Sequence, residues 1–194
     1  MLTQVKSSNG ITVVDSQTIL FDEKRQLYIF GEINSETACE FAHEIIFLNS
    51  RDRKAPINLF INSMGGEINA GLLMLDAMDS PAPIRTYCLG TAYSMAAVLF
   101  AAGKERYILP HSELMLHEPL LKSGVSGNAS SIRSISESIT ATEEKINGIL
   151  CALTHKSKAE IEEATSYDHF FGAEEAVSFG LADKIITFSE LMEA

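Results

Sequence analysis

The chain has 194 residues, 46% of them hydrophobic and 21% charged, with a formal net charge of −11. That length supports one sizeable core but not two ordinary domains, and the apolar content excludes a disordered chain. Phosphate binding needs clustered Lys and Arg, so the acidic balance excludes a nucleic-acid-binding surface.

No apolar run approaches the ~20 residues that span a bilayer. The N-terminal MLTQVKSSNG is polar and has no apolar signal-peptide region, so no secretory signal is expected and the chain reads as cytosolic. Cys39, Cys88 and Cys151 are far apart and lack CxxC spacing, and they read as buried free thiols in a reducing compartment.

In chain order, residues 1–17 read as a loose arm with a short strand around Ile11–Val14. Gln26–Phe30 reads as a strand ended by Gly31. Ala38, Phe41, Ala42 and Ile45 recur at helical spacing within 35–48. Pro56–Asn62 (PINLFIN) alternates Ile57, Leu59 and Ile61 with polar neighbours, apart from Phe60, and reads as a core strand. It stops at Met64-Gly65-Gly66, and a helix from about Ala70 to Met78 follows. The order then repeats: strand Ile84–Leu89, a break at Gly90, and a small-residue helix Ser94–Ala102. Arg106–Leu109 and Glu113–Leu116 are short strands, 128–154 is one long amphipathic helix, and Glu174–Phe179 is a last helix closed by Gly180. This alternation, without linker or repeat, indicates a single α/β domain of stacked ββα units.

Three places have acyl-transfer chemistry. Ser94, in GTAYSMAA, opens a helix where unpaired backbone N–H groups can hold an oxyanion, although the same position suits a capping or packed serine. The pattern GxSxG is absent, so an α/β-hydrolase is not indicated. Gly65-Gly66 allows close backbone approach, or is an ordinary strand-to-helix turn. His117 ends the strand ELML just before Glu118-Pro119 and suits a general base, or is a structural strand-end histidine. His43 and His155 look solvated, while His111 and His169 stay open. No HExxH, paired Cys/His spacing or Walker A lysine occurs, so no metal or ATP site is expected on this chain.

Taken together, INSMGGEINAGLLMLDAM, GTAYSMAAVLFAAGKERYILPHSELMLHEPL and EATSYDHFFGAEEAVSFGLADKII resemble, in the same order, three motifs of the ClpP family, the proteolytic component of ATP-dependent Clp proteases. The resemblance covers about Gln26 to Ile186. It implies a ClpP/crotonase-like fold with a handle helix from about 120 to 154 and an N-terminal axial arm over 1–17. It also implies Ser94 as nucleophile, His117 as base and Asp168 as orienting acid; sequence alone does not choose Asp168 over Asp76, Asp79 or Asp183. Gly66 and Met95 match the oxyanion donors, and Glu67, Ile68, Asn69 and the segment after Pro119 would line the peptide.

The resemblance further implies a serine endopeptidase acting on unfolded polypeptides. Seven subunits would form a ring and two rings a tetradecamer, fed by a hexameric Clp ATPase that uses the ATP. Met64 stands where the family usually has proline, Tyr93 where it has alanine, and Ser166-Tyr167 where an acid–arginine pair precedes the aspartate. Ser131 replaces an acid on the handle. The usual ring–ring ion pairs cannot form, which predicts a weak double ring that a second ClpP-type subunit or the ATPase strengthens. Two rivals stand beside this reading: a crotonase-fold acyl-CoA enzyme, and a non-catalytic subunit that modulates an active ring.

Overall fold

The computed structural model of the chain describes residues 2–7, 10–121, 124 and 126–192. The expected loose arm is instead an antiparallel pair, β1 (Leu2–Ser7) and β2 (Gly10–Asp15), the second containing the strand expected at Ile11–Val14. Helix α1 (Ser16–Lys24) follows, its first turn capped by Asp15. Sequence periodicity misses α1 because Ile19, Leu20 and Phe21 are consecutive rather than spaced around one face.

Strand β3 (Gln26–Ile33) does not end at Gly31. Gly31 adopts φ 87, and the pairing register shifts there, so the strand bulges and continues. Helix α2 (Ser35–Arg51) starts with a capping box between Asn34 and Thr37 and buries Ala38, Phe41, Ile45 and Leu48. Strand β4 (Ile57–Gly66) likewise runs beyond its expected end, because Gly65 and Gly66 pair with Glu32 and Ile33. Helix α3 (Ile68–Met78) packs against α2. Strand β5 (Ile84–Tyr93) bends at Gly90 (φ 118) instead of breaking there. Its first half pairs with β6 (Glu105–Ile108) and its second half with β7 (Glu113–Leu116). Between β5 and β6 lies α4 (Met95–Ala101), buried at all seven residues.

Helix α5 (Ala129–Thr154) buries Ile146, Asn147, Leu150 and Thr154, all in its C-terminal part, whereas Ile132 is exposed. The expected amphipathic helix is therefore packed against this chain over one end only. Helix α6 (Lys158–Thr165) and strand β8 (His169–Gly172) lead to α7 (Ala173–Phe179), the two-residue β9 (Lys184–Ile185) and α8 (Phe188–Met192), and of these only α7 is read from sequence.

The main sheet has the order β3-β4-β5-β6-β9, parallel throughout, with β7 parallel to β5 and β8 antiparallel to β7. Parallel strands buried on both faces are apolar almost without a break, which explains Phe60 inside PINLFIN. Leu59 and Ile61 join the core that contains α4. Phe60 instead stacks between Tyr28 (5.3 Å) and Tyr87 (4.9 Å) on the other face. The expected mixed α/β fold with a mostly parallel sheet is observed, and its C-terminal strand ends converge on the segment around Ser94.

Candidate active site

Ser94 joins β5 to α4 with φ 54 and ψ −125. A non-glycine residue rarely takes this conformation, which costs on the order of 1–3 kcal/mol and persists only where the surroundings enforce it. Here they do. The Ser94 N–H donates to the Met115 carbonyl of β7 at 2.8 Å, and the Ser94 carbonyl accepts from Ala97 N–H at 2.9 Å. The serine is thus held on a sharp strand-to-helix turn, although the sequence lacks GxSxG.

His117 follows β7 and brings Nε2 to 2.9 Å from Ser94 Oγ. Its Nδ1 lies 3.3 Å from Asp168 Oδ1, where β8 begins beside β7. With Nδ1 protonated, the ring donates to the carboxylate and Nε2 accepts from the serine hydroxyl. The His117 side chain is 18% exposed, but that of Asp168 is 64% exposed. A charge-assisted N–H···O bond usually measures 2.7–2.9 Å, so the His117–Asp168 contact is the looser of the two.

The competing aspartates are placed elsewhere. Asp183 is engaged by Arg106, whose Nε and backbone N–H both donate to it. Asp76 and Asp79 are exposed at the C-terminal end of α3, opposite the end that follows Gly66. His169 stacks on Phe171 (4.1 Å between centroids), and its Nε2 meets Glu175 Oε1 at 3.1 Å. Its Nδ1 is buried without a partner. His43, His111 and His155 are exposed.

The end of β4 lies beside Ser94. A Cβ at Gly65 would sit 3.0 Å from Ser94 Cβ and 3.2 Å from Met95 N, and one at Gly66 would sit 2.0 Å from the Ile33 carbonyl oxygen. Only glycine fits both positions. Ser63, missed in sequence, shapes the turn: its hydroxyl donates to the Gly31 carbonyl and accepts from Gly65 N–H. Glu67 N–H donates to the Ile33 carbonyl at 2.8 Å, which ties the end of β4 to β3.

A cavity of about 430 Å³ opens at Ser94 and His117. Its apolar lining comes from Met64, Ile68, Val98, Met115, Ile146 and Leu150, with Glu32 and Glu118 also at its wall. Ile68 is thus brought to the site, whereas Glu67 and Asn69 lie outside the lining. Both are exposed, and the Glu67 carboxylate accepts from the Ser35 hydroxyl. The residues after Pro119 reach the cavity through Leu120.

The Clp protease family model matches residues 8–189, nearly the whole chain. The chain belongs to the Clp protease family. The family expected from the three motifs is the family found, and it sets aside the acyl-CoA enzyme. As a Clp-type peptidase, the chain lines one apolar cavity with its first two motifs, and the third meets them through Asp168 at His117. Two of its departures from the usual pattern lie beside Ser94: Met64 lines the mouth at 67% exposure, and Tyr93 immediately precedes Ser94.

The thiols lie outside this cavity lining. Cys88 is buried, and burial pushes its thiol up to about 12, while Cys39 is exposed rather than buried as expected. Among the described residues no group of His, Cys, Asp and Glu could hold a metal, and no helix is long and apolar enough to cross a membrane.

Proposed function

We propose that the chain is the serine endopeptidase subunit of an ATP-dependent Clp protease. The observation that carries this reading is the 2.9 Å contact between Ser94 Oγ and His117 Nε2 at the mouth of the cavity. Ser94 attacks the peptide carbonyl while His117 takes its proton and then returns it to the leaving amine. Asp168 holds the ring in the Nδ1–H tautomer and stabilises the imidazolium. The Gly66 and Met95 N–H groups hold the oxyanion, a contribution of roughly 3 kcal/mol per donor in comparable enzymes. The apolar cavity receives the side chain before the scissile bond.

ATP belongs to a hexameric Clp ATPase that delivers unfolded chains, and residues 1–17 form the arm at the axial entrance. Seven subunits form a ring and two rings enclose the sites, with α5 as the handle. Support for a covered surface comes from apolar groups left exposed: Tyr167 and Phe170 on either side of Asp168 in sequence, and Leu120 and Leu121 after Pro119. The ring contact differs from the usual one. Ser131 bonds back to Asn128 within its own helix cap, and Ser166 to the Glu163 carbonyl, so neither supplies a charge to a partner. The isolated chain therefore makes a weak double ring of low activity, raised by a second ClpP-type subunit or by the ATPase.

A fluorophosphonate tests the chemistry: it should label Ser94 alone, and labelling should abolish peptide cleavage. Cleavage that continues after stoichiometric labelling overturns the assignment. Sedimentation velocity across a protein and salt series tests the assembly, where a stable, fully active fourteen-subunit particle at every concentration would refute the weak ring.

A further inference from the structure

Strand register places one residue beside each member of the triad in a single row. Tyr93 on β5 pairs with Met115 on β7, and Met115 pairs with Phe170 on β8. Tyr93 precedes Ser94, Met115 lies two residues before His117, and Phe170 lies two after Asp168. Directly paired residues point to the same face of a sheet. The Tyr93 and Phe170 rings meet edge-on across the intervening strand, 5.6 Å between centroids. The Tyr93 hydroxyl donates to Glu113 Oε1 at 2.5 Å, which fixes the ring at its far end. That bond, helped by burial and the carboxylate charge, raises the phenol to about 12, so the hydroxyl keeps its proton near neutral pH.

We infer that Tyr93, clamped by Glu113, is a positioning residue for the triad: through Phe170 it holds β8 where the Asp168 carboxylate meets His117. This rests on the proposed role of the triad. Asp168 is mostly exposed and its contact with His117 Nδ1 is 3.3 Å, so its placement depends on the strand that follows it. The start of that strand is also held by its pairing with β7 and, on the opposite side from Phe170, by the His169 stack on Phe171 and the His169–Glu175 contact.

The test compares Tyr93→Ala, Tyr93→Phe and Phe170→Ala in the full chain, with Asp168→Asn as reference, by peptide cleavage across pH. A carboxylate beside an imidazolium raises its pKa, so loosening Asp168 moves the acid limb of the profile to lower pH. The other carboxylates at the same cavity, Glu32 and Glu118, are unchanged in these variants. Tyr93→Ala should lower kcat ~10- to 100-fold, with KM changed less than about twofold, and shift the acid limb downward, as Asp168→Asn does. Tyr93→Phe keeps the ring, loses the clamp and should fall between. Phe170→Ala, at an exposed site that tolerates truncation, should reproduce Tyr93→Ala, and the double variant should add little to either. A loss of rate with an unmoved acid limb in both single variants would reduce Tyr93 to a packing residue and overturn the inference. Failure of the unaltered chain to take a fluorophosphonate at Ser94 would instead overturn the peptidase reading itself.

Discussion

Ser94 is followed by α4, whose seven residues are all buried between the sheet and its neighbours. Asp168 is followed by β8, where Phe171 is buried and Phe170 is exposed, and the carboxylate itself is largely in solvent. The Ser94 half belongs to the core, so folding this one chain is enough to build it. The acid half lies on an outer antiparallel strand held by β7 and a row of aromatic rings. Its geometry draws on fewer buried contacts. The two halves should therefore respond differently to substitution: the first in stability and activity together, the second in activity alone.

The largest expected effect is on chemistry. Ser94→Ala should lower peptide cleavage by roughly four to six orders of magnitude, because the nucleophile is gone. Asp168→Asn should lower kcat by about 10²- to 10⁴-fold with little change in KM, measured on the same peptide. Equal losses in the two would erase the distinction between the halves.

Stability provides the next contrast. Leu99→Ala on α4 removes a fully buried side chain and should destabilise by about 2–5 kcal/mol in denaturant unfolding. Phe170→Ala should cost less than about 1 kcal/mol while still reducing activity, since its ring is already half exposed. A large stability loss from Phe170→Ala would place β8 in the core after all.

The smallest effect concerns Arg106 and Asp183, remote from both halves. Burial pushes the Asp183 carboxyl up, but the hydrogen bonds and charge of Arg106 outweigh it and hold the group below the usual carboxylate range. A carboxyl depressed in the folded state stabilises it above the unfolded value, ~3.9, and the contribution disappears as pH falls through the lower folded value. Asp183→Asn should thus lower the Tm by a few degrees at neutral pH, with the difference shrinking below about pH 4 and kcat unchanged. A Tm difference that persists in acid would mean that packing, not charge, is lost.

Local pattern made the core strands and the nucleophile segment legible. PINLFIN and its glycines, the small-residue stretch after Ser94 and the strand before His117 are each contiguous, so their hydrophobic spacing and breakers lie within a few residues. Element ends were read less well. Gly31, Gly65-Gly66 and Gly90 look like stops in sequence, yet each lies within a strand: Gly65 and Gly66 pair with β3, and pairing resumes beyond the unpaired Gly31 and Gly90. The helices α1 and α6 and the strand β8 were missed because their apolar residues are few or consecutive.

The sequence by itself determined the α/β class, the family and the candidates Ser94 and His117, since these depend on residue type and short-range order. Tertiary structure alone decided the rest. It set the positive φ of Ser94, enforced by a hydrogen bond to β7, and the use of Asp183 by Arg106, which leaves Asp168 for His117. It also decided which face of α5 closes the cavity, through Ile146 and Leu150. These depend on chain segments tens of residues apart meeting at hydrogen-bond distance, and spacing along a single chain does not encode that approach.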